Sequence, residues 1–163
     1  MTELLTLFAD YAQIHVLDEK SESPVGEDWT DDALADRVAV VRDALAIRTE
    51  VDVDVQVEVD VVDAPPTEDD SARFDHVLLA TVAVPSGRLV VMGNSDFLPD
   101  AARFAVRPGW VTVEVAKRNL AAATEAGIES DESDETMEKI RLRVWPSDTS
   151  ANAVTVRKRW VAP

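Results

Sequence analysis

From Val51 to Val61 the chain reads Val-Asp-Val-Asp-Val-Gln-Val-Glu-Val-Asp-Val, apolar and polar residues alternating without a break. A period of two belongs to a β-strand, because successive side chains leave opposite faces of the pleat. The alternation therefore assigns the six valines to one face and Asp52, Asp54, Gln56, Glu58 and Asp60 to the other. Side chains two apart on a strand sit roughly 6.7 Å from each other. The polar face is predicted to be a row of carboxylates at near-regular spacing, with no Lys or Arg on the strand itself.

The rest of the chain has the means to bury the valine face. It has 163 residues, 46% of them hydrophobic, with four tryptophans, which suits one packed domain spanning 1–163. No apolar run approaches the roughly 18 residues of a membrane span. The opening Met-Thr-Glu-Leu-Leu-Thr-Leu-Phe-Ala-Asp lacks the basic start and long apolar core of a secretion signal. There are no cysteines, so disulfides, thiol nucleophiles and thiolate metal sites are excluded. The expected location is the cytoplasm.

Flanking segments extend the strand pattern. Leu4 to Asp18 contains strand-like stretches, and 19–28, with Pro24 and Gly26, reads as a loop. Trp29-Thr30-Asp31-Asp32-Ala33 looks like a helix start, with Thr30 as cap and two aspartates at the positive end of the dipole. Beyond it two readings stay open. Leu34, Val38, Val41 and Leu45 fit a helix to about residue 45, whereas Val38–Val41 and Ala44–Ile47 fit two strands around Arg42-Asp43. Phe74–Val84, Arg88–Met92, Ala102–Val106, Trp110–Ala116, Ile140–Trp145 and Val154–Trp160 are further strand candidates, punctuated by Pro and Gly turns. Residues 121–138, alanines followed by an acidic run, read as a solvated loop. The predicted class is all-β: an antiparallel two-layer β-sandwich with one short helix near residues 30–37.

Catalytic constellations are missing from this pattern. His15 and His76 read as partly buried strand residues, and no nucleophile elbow, dinucleotide fingerprint or phosphate loop is present. The chain is expected not to be an enzyme and to need no cofactor. The acidic segments Thr67–Ser71 and Asp131–Glu135 could hold a hard cation, but carboxylates that crowd need not converge. No metal ligand is assigned; a calcium- or small-ligand-binding sandwich module is kept as an alternative.

The net charge of −16 lies wholly in residues 1–80, which hold 21 acidic and 5 basic residues, while the remainder is balanced. Such a chain is repelled by nucleic acid and anionic membranes and drawn to basic partners. A rigid carboxylate row, spaced at about twice the 3.4 Å per-strand rise of phosphates in DNA, can occupy the cleft of a nucleic-acid-binding protein. On this reasoning Asp52, Asp54, Glu58 and Asp60, with the loop acids Glu68, Asp69 and Asp70, are the candidate partner-binding residues. A saline cytoplasm is the competing origin of the acidity: only 4 of the 16 basic residues are lysine. The basic run Arg157-Lys158-Arg159 is suited to pairing with the acidic face within the chain or across a homodimer.

The N-terminal quarter, Tyr11-Ala-Gln-Ile-His-Val16 followed by Asp28-Trp29-Thr30-Asp31-Asp32-Ala33, resembles the competence protein J group. That group tends to carry a Tyr-x-Gln-Phe-x-Val strand and an Asp-Trp-Thr-Asp-Glu-Ala helix start. Ile14 departs from its Phe. The resemblance implies a small, β-rich, non-catalytic inhibitor of a nuclease used in DNA uptake, and it brings no catalytic residue. In this setting Tyr11, Gln13, Trp29, Thr30 and Asp31 are expected to be structural.

Overall fold

The computed structural model describes residues 2–163. Its eleven strands are β1 (Thr2–Phe8), β2 (Gln13–Asp18), β3 (Val38–Val41), β4 (Ala44–Arg48), β5 (Asp54–Val61), β6 (His76–Val84), β7 (Arg88–Gly93), β8 (Ala102–Ala105), β9 (Gly109–Arg118), β10 (Lys139–Pro146) and β11 (Val154–Lys158). They form a six-stranded sheet, β1-β5-β10-β9-β6-β11, packed on a five-stranded one, β3-β4-β2-β7-β8. All pairings are antiparallel except β5 with β10. This is the expected two-layer sandwich.

Between the layers lie the inward valines of β5 (Val55, Val57 and Val59, all fully buried), joined by Val111, Val113 and Val115 of β9 and by Ile140, Leu142 and Val144 of β10. Ile14 and Val16 of β2, Leu45 and Ile47 of β4, and Leu89 and Val91 of β7 face them from the other sheet. Each fully buried side chain of this size contributes roughly 1.5–3 kcal/mol of transfer free energy.

The chain passes from one sheet to the other in the four residues between Phe8 and Gln13. Asp10–Ala12 form a 3-10 turn in which Tyr11 and Ala12 both adopt φ of +56°. Left-handed backbone costs a non-glycine residue roughly 1–2 kcal/mol. The turn is fixed by Ala9 N–H donating to Val53 O and Thr49 N–H donating to Ala12 O.

Of the two readings open at residues 38–47, the structure takes the strands. Helix α1 (Asp31–Asp36) starts at Thr30, whose hydroxyl accepts the Ala33 N–H at 3.1 Å, and ends at Arg37, which is left-handed at φ +62°. The β-branched Val38, Val40 and Val41 then pair as β3 with β4.

Two expectations are corrected. Residues 121–138 are not merely a solvated loop: α2 (Leu120–Ala126) buries Leu120 and Ala123, and 3-10 turns continue to Glu132. Three consecutive alanines are strong helix formers. The alternating strand also begins later than its sequence pattern, at Asp54, so Asp52 stands in the bend before it.

Candidate protein-binding face

On β5 the predicted row stands on the outer face of the larger sheet, with Asp54, Gln56, Glu58 and Asp60 half-buried and Asp52 exposed beyond the strand end. The row is not electrostatically bare, because a basic row lies alongside it on the neighbouring strand. The parallel register sets Lys139 beside Gln56, Arg141 beside Glu58 and Arg143 beside Asp60. Paired residues of neighbouring strands point the same way, so an acidic row and a basic row run side by side. The basic row was visible as Lys139-x-Arg141-x-Arg143; its position next to β5 depends on long-range topology.

The two arginines turn towards other carboxylates. Arg141 donates to both oxygens of Asp70 and to Glu114 Oε1 at 3.0 Å. Arg143 Nε donates to the same Glu114 oxygen at 2.7 Å and lies 3.5 Å from Asp70. Asp70 thereby fastens the 62–75 loop to the sheet, and hydrogen bonds from Arg141 hold its carboxyl below the usual range. Asp69 is exposed and accepts the Ser71 N–H at 3.0 Å; that bond holds its pKa down. Glu68 is exposed on the same loop. Among the described residues, Asp52, Asp54 and Glu58 have no ion pair within 4 Å.

The basic run near the C-terminus stays within the chain but does not reach the β5 row. Lys158 Nζ donates to Phe74 O at 2.7 Å, and Arg159 pairs with Asp36 at 2.7 Å.

The motif near the N-terminus organises a loop over the smaller sheet. Gln13 Nε2 and Trp29 Nε1 both donate to Gly26 O, at 3.1 and 3.2 Å, and Gln13 Oε1 lies 3.0 Å from His15 Nε2. Residues 19–30 are thus drawn across the outer face of β2, where Ala44, Ala46, Val90 and Met92 are buried. Thr30 caps α1 and Asp31 lies exposed in its first turn. Tyr11 is 75% exposed, and its part in the structure is its backbone, which takes φ +56° in the turn between the sheets.

Sequence reasoning missed a buried ionic cluster at one end of the sandwich. Lys117 and Glu138 are fully buried. Lys117 Nζ donates to Arg48 O at 2.6 Å and to Glu50 Oε2 at 3.0 Å, and lies 3.3 Å from Glu138 Oε2. Glu138 Oε1 accepts the Glu50 N–H at 2.7 Å. Burial pushes the Glu138 carboxyl up, with Lys117 pulling the other way. At Glu50 burial also works upward, but Lys117 and Arg37 outweigh it and the pKa is lowered. Next to this cluster His76 Nδ1 accepts the Trp160 N–H at 3.1 Å, which leaves the proton on Nε2, where it donates to Asp36 O at 2.8 Å. Desolvation lowers the His76 pKa to about 4, so the ring is neutral at pH 7. With every polar ring atom engaged by backbone, the geometry is that of a structural cross-link.

The signal for this cluster was present in the pattern. Lys117 is in phase with Val111, Val113 and Val115, and Glu138 with Ile140, Leu142 and Val144. Alternation alone points both inward.

No family model matches the chain, and no curated protein matches it in sequence. Two solved structures share its fold. One is ComJ, described as an inhibitor of the DNA-degrading activity of NucA, from Bacillus subtilis. It superposes with a TM-score of 0.66 at 14% identity, covering 89% of this chain and 96% of ComJ. The other is the product of crocagin biosynthetic gene J, with a TM-score of 0.56 at 18% identity, covering 90% of this chain and 96% of the other. The likeness of fold therefore extends well past the N-terminal quarter in which the sequence resemblance was found.

Proposed function

We propose that this chain is a non-catalytic cytoplasmic protein that binds a basic partner, foremost a DNA-degrading nuclease, and blocks it. The observation that carries the reading is the fold shared with a nuclease inhibitor over nearly the whole chain. It meets an independent property of the sequence, a surplus of 16 negative charges, which complements a groove built for phosphates.

The mixed face narrows which acids take part. Asp52 in the bend before β5, Asp54 at the start of the strand, Glu58 further along it, and Glu68 and Asp69 on the loop are the carboxylates offered to the partner. Asp70 acts indirectly, by keeping the loop on the sheet. Being fixed to strands and a tethered loop, these groups bind without the ordering cost of a floppy acidic tail.

The test is DNA degradation in an extract of the source cell, followed with and without added protein. Wild type should suppress the activity, and D52N/D54N/E58Q/E68Q/D69N should need at least about tenfold more protein at low salt. An unchanged rate of degradation at saturating wild-type protein would remove the nuclease reading altogether.

A further inference from the structure

Four cations converge on a groove of about 320 Å³ on the outer face of the larger sheet: Arg73, Arg118, Lys139 and Arg141, with Glu58 as the one carboxylate in its wall. We propose that this groove is a binding site for a small phosphate compound, taken up through its phosphoryl oxygens. This inference does not rest on the inhibitor reading, although Glu58 belongs to both surfaces.

The first argument is register. The pairing of β9 with β10 sets Arg118 directly opposite Lys139. Like charges facing each other across strands destabilise a sheet, and in a chain this rich in carboxylates the compensation is incomplete. Lys139 has Asp134, 2.7 Å away, on an exposed carboxylate. Arg118 is exposed and has no carboxylate within 4 Å among the described residues. The pair is left with positive charge to spare.

The second argument is unspent hydrogen-bonding capacity. Arg141 uses its two terminal nitrogens on Asp70 and Glu114 and its Nε is buried, so the capacity lies with its neighbours in the groove. Arg73 is joined to Asp70 only by a long 3.5 Å contact, and its side chain is 70% exposed. The guanidinium carbons of Arg73 and Arg141 lie 5.7 and 4.5 Å from the Phe74 ring centroid, which holds both near the groove.

The third argument concerns the class of anion. Guanidinium forks and an ammonium around one cavity match a tetrahedral, multiply charged oxyanion better than a lone planar carboxylate. The overall charge of −16 opposes the approach of a long polyanion, so a compact ligand is favoured over nucleic acid.

The experiment is calorimetric titration of the full chain with pyrophosphate at fixed ionic strength, with inorganic phosphate, citrate and a short single-stranded DNA as parallel arms. Pyrophosphate should saturate in the sub-millimolar range, and phosphate should compete with it. R118Q and R73Q should each weaken binding by about tenfold. R107Q, an exposed charge outside the groove, should change it less than about twofold. E58Q should bind more tightly, since it removes the carboxylate that lines the groove; a merely structural role for these residues gives no reason for a gain. Thermal unfolding of each variant confirms that the fold is retained. The proposal is overturned by the absence of saturable binding, by an R107Q loss equal to that of R118Q, by citrate binding as well as pyrophosphate, or by DNA binding that pyrophosphate does not displace.

Discussion

Lys117 carries its charge where water cannot reach it, and what surrounds it explains why that is tolerated: one backbone carbonyl and two carboxylates within 3.3 Å. Bringing ions into a low-dielectric interior costs several kcal/mol each, so removing one partner strands the others. Lys117→Met should therefore lower the unfolding free energy by about 3–5 kcal/mol in a denaturant titration at pH 7. The double change K117M/E138Q should recover part of that loss, because it also removes the carboxylate left behind. Equal losses in the single and double variants would show that Glu138 is not the group that needs Lys117. These two residues were legible by phase and were overlooked because charge is ordinarily read as exposure.

At the scale of elements, the 19–30 loop depends on Gly26. Its φ is +75°, and a Cβ there would come 2.1 Å from Gln13 Oε1. Gly26→Ala should cost about 1–3 kcal/mol, through left-handed strain and through displacement of Gln13. Limited proteolysis should then cut within 19–30 sooner than in wild type, while resistance across β9 and β10 is unchanged.

Elements also differ in how far the sequence revealed them. The strict alternation of 51–61 identified a strand because one of its faces is core and the other is not; only its first three residues were misplaced, drawn into a bend by the contact of Ala9 with Val53. Residues 33–47 gave two answers because Leu34, Val38, Val41 and Leu45 fall at helical spacing while Val38–Val41 and Ala44–Ile47 are apolar runs of strand length, and pairing with β2 decided between them. The candidate face was legible in composition but not in neighbours. Nothing local to β5 says that Arg141 and Arg143 will lie alongside, since that follows from the one parallel pairing in the fold.

For the molecule as a whole, the charge of −16 is a mutual repulsion that folding concentrates. The ion pairs around Glu114, Glu50 and Glu19 engage only some of the 32 acidic side chains. Raising NaCl from about 0.05 to 1 M shortens the screening length to about 3 Å, so the melting temperature should rise by several degrees. A fall in melting temperature over that range would mean that attractive pairs, rather than repulsion, dominate the surface.

The parallel junction of β5 and β10 has a consequence during synthesis. β5 leaves the ribosome early with β1 as its only available neighbour, and its other edge stays open until β10 has been made. For that interval its valines form the kind of sticky, strand-prone segment on which aggregates nucleate. Alternating aspartate and glutamate through the same stretch places a gatekeeper at nearly every second step, so that two newborn chains meeting there repel each other before either has finished folding.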